Sequence, residues 1–516
     1  MNKSSLAKSA YILISLTLFS KFLGFGREIV IAFLFGATAF TDAYLMALTI
    51  PTLLFVAMSK AIGSVFIPVY DKFKTEKREL PLLVKFSTLG LLAAGAFVLL
   101  FVVFAPQLVS LFAVGFDKPT AALTVEMLRI LAFIIIFRFL SDIFTAVLHV
   151  NKNFVIPGLE SLPYNIVVIA VSFLLYQRLG ISALVWGTLF GIISQTLFIF
   201  PWMLRSGFSG GGWQDKSNDG IRELFSLLPA VILGSMATQI KAMIDRMFAS
   251  TLAAGSISYL NYAGRLINLP QALLVMAVIT VVYPTLASLG NAGEKKRFAD
   301  LHQKTISSMQ YLLIPIMIGL IILAEPIIQF VYQRGSFDAV AAAETVAPLR
   351  YFSLGLLGVM LTLFNMRALY ALKDTKAPLI ATAVMIVVNT VLNLAFIGPM
   401  GHGGLALATS ISVWLGGLLL FWLLARKLAA PFPLALLAET GKTLAAGFVM
   451  GGAVYFLYFS LLSNVQLLGS IGALLASIAS GAGIFFACSL VLKLRGAGEA
   501  KLLLQRILRR FSSTKM

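Results

Sequence analysis

The sequence predicts an all-α polytopic membrane protein: about fourteen transmembrane helices, forming two parallel six-helix lobes plus two extra C-terminal helices. Three observations predict it. The 516 residues are 59% apolar and only 12% charged, against roughly 45–50% and about 25% in soluble domains. Mean hydropathy is +0.95, and the apolar residues gather into runs of about 20, the length that crosses some 30 Å of hydrocarbon. Part of the chain also repeats. These features exclude a soluble multidomain enzyme, a disordered chain and a nucleic-acid-binding protein.

The candidate spans are 9–34, 43–70, 83–105, 122–148, 154–177, 182–204, 222–251, 256–288, 306–333, 347–371, 377–398, 404–425, 442–463 and 468–492. Helices are expected because a chain in lipid must satisfy its backbone internally, and a barrel would need short alternating strands. The first apolar segment, 10–35, is too long for a signal peptide and lacks a small-residue cleavage site, so it reads as retained. The expected organisation is an N-terminal lobe 1–205, a cytoplasmic linker 206–220, a C-terminal lobe 221–430, helices thirteen and fourteen at 431–495, and a basic tail 496–516.

Loop charge sets the orientation. The net charge is +19. Twenty-seven Lys and Arg residues fall in the termini and even-numbered gaps, and three (Lys118, Arg178, Arg334) fall on the opposite side. Both ends are therefore expected in the cytoplasm of a plasma-membrane protein, and most of the positive charge is topological. The tail from Lys501 to Phe511 mixes leucines with bases, which suits either an amphipathic helix on the inner leaflet or simple topogenic charge.

The remaining ten bases lie inside spans, where charge is costly and has a partner or a function. Lys241 and Asp245, and likewise Arg138 and Asp142, stand four apart and can neutralise each other. Arg350 and Arg367 lie near span ends and can snorkel, as can Arg129. That leaves Lys21, Arg27, Lys60, Arg246 and Arg265. Of these Arg27, Lys60 and Arg265 lie well inside their spans without an acid three or four positions away. They call for an aqueous cavity with surplus positive charge, which suits an anionic substrate.

The repeat involves these same residues. Arg27-Glu28 is followed by Pro51, 24 positions after the arginine, and Asp245-Arg246 by Pro270, again 24 after. Each stretch closes on a second proline, in Phe66-Ile67-Pro68 and Val282-Tyr283-Pro284. Six spans per half is even, so both halves enter the membrane in the same sense, as in parallel transporter repeats. Pro51 removes a helix hydrogen bond, and Gly24 and Gly26 weaken the first helix near Arg27, so the three are candidate bending points, with ordinary kinking as the alternative.

Other chemistry is sparse. Cys488 is the single cysteine, and His149, His302 and His402 lack ligand spacing, so neither metal nor cofactor is expected. Gly210-Gly211-Gly212 lacks the Lys-Ser/Thr of a phosphate-binding loop, and no cytoplasmic loop is long enough for a catalytic domain.

Ser20-Lys21-Phe22-Leu23-Gly24-Phe25-Gly26-Arg27-Glu28 resembles the opening motif of the MurJ (MviN) lipid II flippases. The likeness continues through Phe35-Gly36-Ala37, Thr41-Asp42-Ala43, Pro51 and Phe66-Ile67-Pro68. It extends to Tyr262-Ala263-Gly264-Arg265-Leu266, Arg334-Gly335-Ser336-Phe337-Asp338 and Tyr370-Ala371-Leu372-Lys373-Asp374-Thr375-Lys376-Ala377-Pro378.

The resemblance implies the multidrug/oligosaccharidyl-lipid/polysaccharide exporter fold, with two lobes around a cavity and a lipid-tail groove at the last two helices. It implies cationic cavity roles for Lys21, Arg27 and Arg265, and a site role for Asp42. Phe55 and Val56 stand where many members have an arginine pair, and Lys60 is the candidate replacement. The implied function is to move lipid II, an undecaprenyl-pyrophosphate-linked peptidoglycan precursor, from the inner to the outer leaflet of a bacterial plasma membrane. The implied partners are bilayer lipids and cell-wall synthesis proteins, with no nucleic acid. A flippase for another polyprenyl-linked glycan and a drug/cation antiporter of the same fold stay open, as does a membrane scaffold, though a scaffold would not need buried charge.

Overall fold

The computed structural model describes residues 3–207, 217–429, 434–462 and 469–498. Most of the expected 206–220 linker, the Gly210–Gly212 triplet, the loop around Ser463 and the basic tail from residue 499 lie outside the described residues. Every regular element described is helical. In chain order the long helices are α1 (Lys3–Phe35), α2 (Ala39–Thr75), α3 (Glu79–Val103), α4 (Lys118–Val150), α5 (Val155–Leu179), α6 (Ser182–Leu204) and α7 (Ser217–Ser250). They continue with α8 (Ser256–Asn291), α9 (Lys295–Ile322), α10 (Ala339–Leu354 and Leu356–Ala371), α11 (Lys376–Leu428), α12 (Leu434–Ser460) and α13 (Gly469–Val491). Short helices Ala105–Phe112 and Ala324–Tyr332 lie between them.

Ten of these helices are long and apolar enough to cross a membrane, and eleven when α10, bent by 42°, counts as one span. The chain is a multi-pass helical membrane protein. Spans expected separately at 377–398 and 404–425 run together as α11, 53 residues long, with a break at Gly401 (φ 55°, ψ −136°). Only glycine takes that conformation cheaply.

The chain forms two compact units. One contains residues 1–258 and 334–338, the other residues 259–333 and 339–516. In the first, the turn from α1 to α2 is made by the Phe35-Gly36-Ala37-Thr38 segment. Gly36 (φ +63°) ends α1, Thr38 caps α2 by accepting from Thr41 N–H at 3.4 Å, and the Thr41 hydroxyl donates to Phe35 O and Gly36 O at 3.2 Å. The orphan groups at both helix ends are thereby met. Below, Phe66 stacks on Phe86 and Tyr70, with centroids 4.7 and 5.3 Å apart, among buried Phe73, Leu82, Phe139 and Met203.

The second unit packs around Phe298, Ile314, Leu356, Phe364 and Leu420. Buried His302 bonds Asn365 at 2.7 Å, and Asn365 donates to Gly417 O at 3.1 Å. These bonds satisfy polar groups that would be costly in an apolar interior.

A seven-residue π-helical segment, Phe456–Leu462, closes α12, and each unit contains a long helix interrupted by a five-residue one: Ile62–Phe66 within α2 and Gln271–Val275 within α8. Both follow a proline, Pro51 and Pro270. π segments are uncommon and concentrate at functional sites. By contrast α1 is one continuous helix through Gly24 and Gly26.

Candidate functional site

Arg27, an expected cationic residue of the first unit, is largely enclosed. Its Nη2 lies 2.5 Å from Glu28 Oε1, and the two side chains are only 14% and 7% exposed. The guanidinium also sits over the Tyr164 ring of α5, 5.0 Å from its centroid. An isolated buried guanidinium would be very costly, and the adjacent carboxylate and the ring face both compensate it. Its Nε finds no hydrogen-bond partner among the described residues. The fork has five N–H donors, so it is neutralised without being saturated. Near it Tyr44 Oη bonds Thr188 Oγ1 at 2.8 Å, and the Ser20 and Ser161 hydroxyls bond each other.

Asp42 stands one turn into α2. While Arg27 pairs with Glu28, Asp42 accepts from Gly255 N–H (2.7 Å), Ser258 N–H (2.8 Å) and Ser258 Oγ–H (2.6 Å). Gly255 directly precedes α8 and Ser258 lies in its first turn. A carboxylate there meets N–H groups that the helix cannot satisfy itself and complements its dipole. Asp42→Ala is expected to lower thermal stability by about 2–3 kcal/mol and Asp42→Asn by about half that, because hydrogen bonds to a charged group carry roughly 1.5–3 kcal/mol. Thermal unfolding of the purified variants checks this.

Arg246, on α7, is also engaged. Its Nη1 donates to Leu45 O at 2.5 Å and to Thr49 Oγ1. Both groups lie on α2 in the turns before Pro51, so Arg246 clamps that helix. Also on α7, Lys241 pairs with Asp245 at 3.1 Å, as expected. Lys60 and Lys21 are exposed. Lys60 stands two residues before the π segment, and Ser64 within that segment donates to its carbonyl at 2.5 Å.

The structure thus groups Arg27 with Glu28 and Tyr164, ties Asp42 and Arg246 to the two ends of the stretch before Pro51, and leaves Lys21 and Lys60 outside both groups. Arg265 belongs to the second unit, on α8, one turn after Tyr262. There buried Tyr332 donates to Tyr262 O at 3.3 Å, with ring centroids 5.1 Å apart.

Two features escape a reading of the sequence. The expected Arg138–Asp142 pair on α4 forms at 3.2 Å, but Ser59 of α2 also donates to Asp142, and Glu160 joins from α5. The only signal in the sequence is an acid, Glu160, within an apolar span. Second, the Arg334–Asp338 turn packs within the first unit. Ser336 N–H bonds Phe33 O at 2.8 Å and its hydroxyl bonds Leu34 O at 2.9 Å, at the end of α1.

In the second unit a cavity of about 520 Å³ opens between α9, the Ala324–Tyr332 helix, α12 and α13. Its wall is almost wholly apolar, including Leu312, Pro315, Met450, Ile478 and Phe485. At its edge Tyr311 Oη is spent on Ser489 Oγ at 3.0 Å.

Comparison with known proteins is specific. A family model described as lipid II flippase MurJ matches residues 31–474. A probable lipid II flippase MurJ of Haemophilus influenzae is 31% identical over 472 residues, covering 86% of this chain and 90% of that protein. The lipid II flippase MurJ of Burkholderia cenocepacia is 28% identical over 418 residues, covering 78% and 81%. A solved structure of lipid II flippase MurJ in an inward closed conformation superposes with a TM-score of 0.80 at 28% identity, over 93% of this chain and 98% of that one. An inward-facing MATE transporter of the MOP superfamily shares the fold, with a TM-score of 0.65 at 13% identity over 81% and 98%. The chain belongs to the MurJ family of lipid II flippases.

Proposed function

We propose that this chain moves lipid II from the inner to the outer leaflet of a bacterial plasma membrane by alternating access. The observation that carries this reading is Arg27, a buried guanidinium neutralised by one carboxylate yet holding unused donors. A pyrophosphate matches such a fork, since guanidinium binds phosphate oxygens bidentately and a low dielectric strengthens the pairing. Arg265, Lys60 and Lys21 supply further positive charge, while Arg246 and Asp42 serve substrate handling by holding α2. The apolar cavity beside α12 and α13 suits a polyprenyl tail.

The working topology has fourteen passes, with α11 counted as two, and both termini cytoplasmic. The lobes are 1–205 and 221–430, with 206–220 as linker, 431–495 as the groove helices and 496–516 as a cytoplasmic tail. Pro51 and the π segment after it serve as the bending region of α2. Membrane potential contributes about 2.3 kcal/mol per charge per 100 mV to any charge-moving step. On the outer leaflet the product meets the cell-wall synthesis enzymes that use it.

Depletion of the protein in its native bacterium tests the substrate. Lipid II is expected to accumulate on the inner leaflet. Accumulation of a different polyprenyl-linked glycan would replace lipid II as the cargo. With purified protein, pyrophosphate lipids are expected to compete for binding and ethidium-like cations are not. The reverse pattern would favour an antiporter.

A further inference from the structure

The polar cluster on α4 carries more acid than base. Arg138, Asp142 and Thr145 follow one another at four- and three-residue steps, so they share one face of the helix. Arg138 Nε lies 3.2 Å from Asp142 Oδ1, and the Asp142 side chain is 12% exposed. Ser59 of α2 donates to the other oxygen, Asp142 Oδ2. Glu160, near the start of α5, accepts from Thr145 Oγ1 at 3.0 Å and from Gln195 of α6, and lies close enough to interact with both Arg138 and Asp142.

Other ionisable groups on the elements packed against α4 are occupied elsewhere or set apart. On α2 Asp42 is held by Ser258, Lys60 is exposed, Lys72 pairs with Glu223 and Lys74 bonds Asn151; Tyr70 interacts with Glu79 of α3. Asp71 of α2 is exposed, and Lys85 of α3 has contacts of its own. On α5 Tyr164 faces Arg27 of α1. Helix α6 offers Gln195 but no ionisable side chain. The two carboxylates therefore share a single guanidinium. Two ionised acids and one base leave one uncompensated negative charge within a membrane-spanning bundle, a costly arrangement that one bound proton removes.

We propose that Asp142 and Glu160 together hold one exchangeable proton, and that its release frees the Ser59 region of α2, coupling proton movement to the motion of that helix. With the proton bound, Arg138 satisfies Asp142, the neutral Glu160 rests on Thr145 and Gln195, and Ser59 stays fastened. When the proton leaves, the ionised Glu160 competes for Arg138 and repels Asp142, and the Ser59 bond loses its fixed acceptor. Ser59 stands three residues before the π segment Ile62–Phe66, where the backbone is already irregular and bends most readily. The role in transport rests on the flippase reading above, whereas the proton site itself does not.

The test uses the full chain in liposomes, with Cys488→Ser and spin labels at the exposed positions Asp71 on α2 and Leu204 on α6. The distance distribution is expected to shift between about pH 5.5 and 8.5, no more steeply than the roughly tenfold per pH unit of a single proton. Glu160→Gln and Asp142→Asn should each hold one distribution across that range. Two variants are used so that one remains informative if the other does not fold. Ser59→Ala should lose most of the shift. In a lipid II translocation assay, an imposed pH gradient should change the wild-type rate, while Glu160→Gln still binds lipid II and loses the response.

A wild-type distribution that ignores pH would overturn the proposal. So would a Glu160→Gln protein that keeps the full response, or a response to Na⁺ at fixed pH in place of protons. If the chain moves no lipid II at all, the flippase reading fails, and the distance measurement still decides the proton site.

Discussion

Arg27→Ala and Arg265→Ala are each expected to abolish complementation of a strain depleted of its lipid II flippase. On the proposed reading, loss of one arginine removes up to two charge-assisted bonds to the pyrophosphate, which an alanine side chain cannot make. For Arg27 the geometry adds a second consequence. Its Nη2 neutralises Glu28, whose side chain is 7% exposed, and removing one member of a buried pair costs about 3–5 kcal/mol. Arg27→Ala should therefore show both lost transport and a lower unfolding temperature. The double variant Arg27→Ala/Glu28→Gln is expected to regain stability without regaining transport, which separates the two effects. Arg27→Lys should rescue only in part, because an ammonium lacks the planar fork and stacks less well on Tyr164. Lys60→Ala should be milder, since Lys60 is exposed. Full complementation by both alanine variants would remove these arginines from the site while leaving the family assignment intact.

The second large effect falls on two glycines that meet where α1 ends. Gly36 has φ +63°, and a Cβ built there would stand 2.3 Å from Ser336 O. Gly335 has φ +59°, and its Cβ would stand 2.4 Å from Phe33 O. Each clash is with backbone, so no rotamer change relieves it. The left-handed conformation alone costs a side chain about 1–2 kcal/mol. Gly36→Ala and Gly335→Ala are each expected to break the 2.8 Å Ser336–Phe33 bond and to lower the yield and melting temperature of folded protein sharply. Gly26→Ala is the control. Nothing lies within 4 Å of its added methyl, and alanine favours a helix by about 0.5–1 kcal/mol over glycine, so stability should hold or rise. If Gly26→Ala leaves transport intact as well, Gly26 is not a bending point. Equal melting temperatures for Gly36→Ala and Gly26→Ala would refute the close-packed turn.

The helical, membrane-spanning character of the chain was legible in the sequence because it depends on local quantities. A run of about 20 apolar residues in lipid must close its backbone bonds within itself, whatever its neighbours are. The self-pairing of Lys241 with Asp245, and of Arg138 with Asp142, was legible for the same reason: residues four apart on a helix share a face. The motif around Gly36 and Thr41 likewise encodes a turn that folds from its own caps.

The partners of the buried charges were settled only by the tertiary structure. Asp42 bonds residues 213 and 216 positions away, Arg246 reaches back 201 and 197 positions to Leu45 and Thr49, and Ser336 returns 302 positions to Leu34. A soluble helix announces its inward face by an apolar stripe, but a membrane helix is apolar all round. Its sequence therefore carries little record of which face meets which neighbour. Packing between helices selects among those faces through small residues and a few polar contacts. That selection gave Arg27 a partner in Glu28, sent Asp42 to the first turn of α8, and placed Glu160 beside a pair that the sequence read as complete.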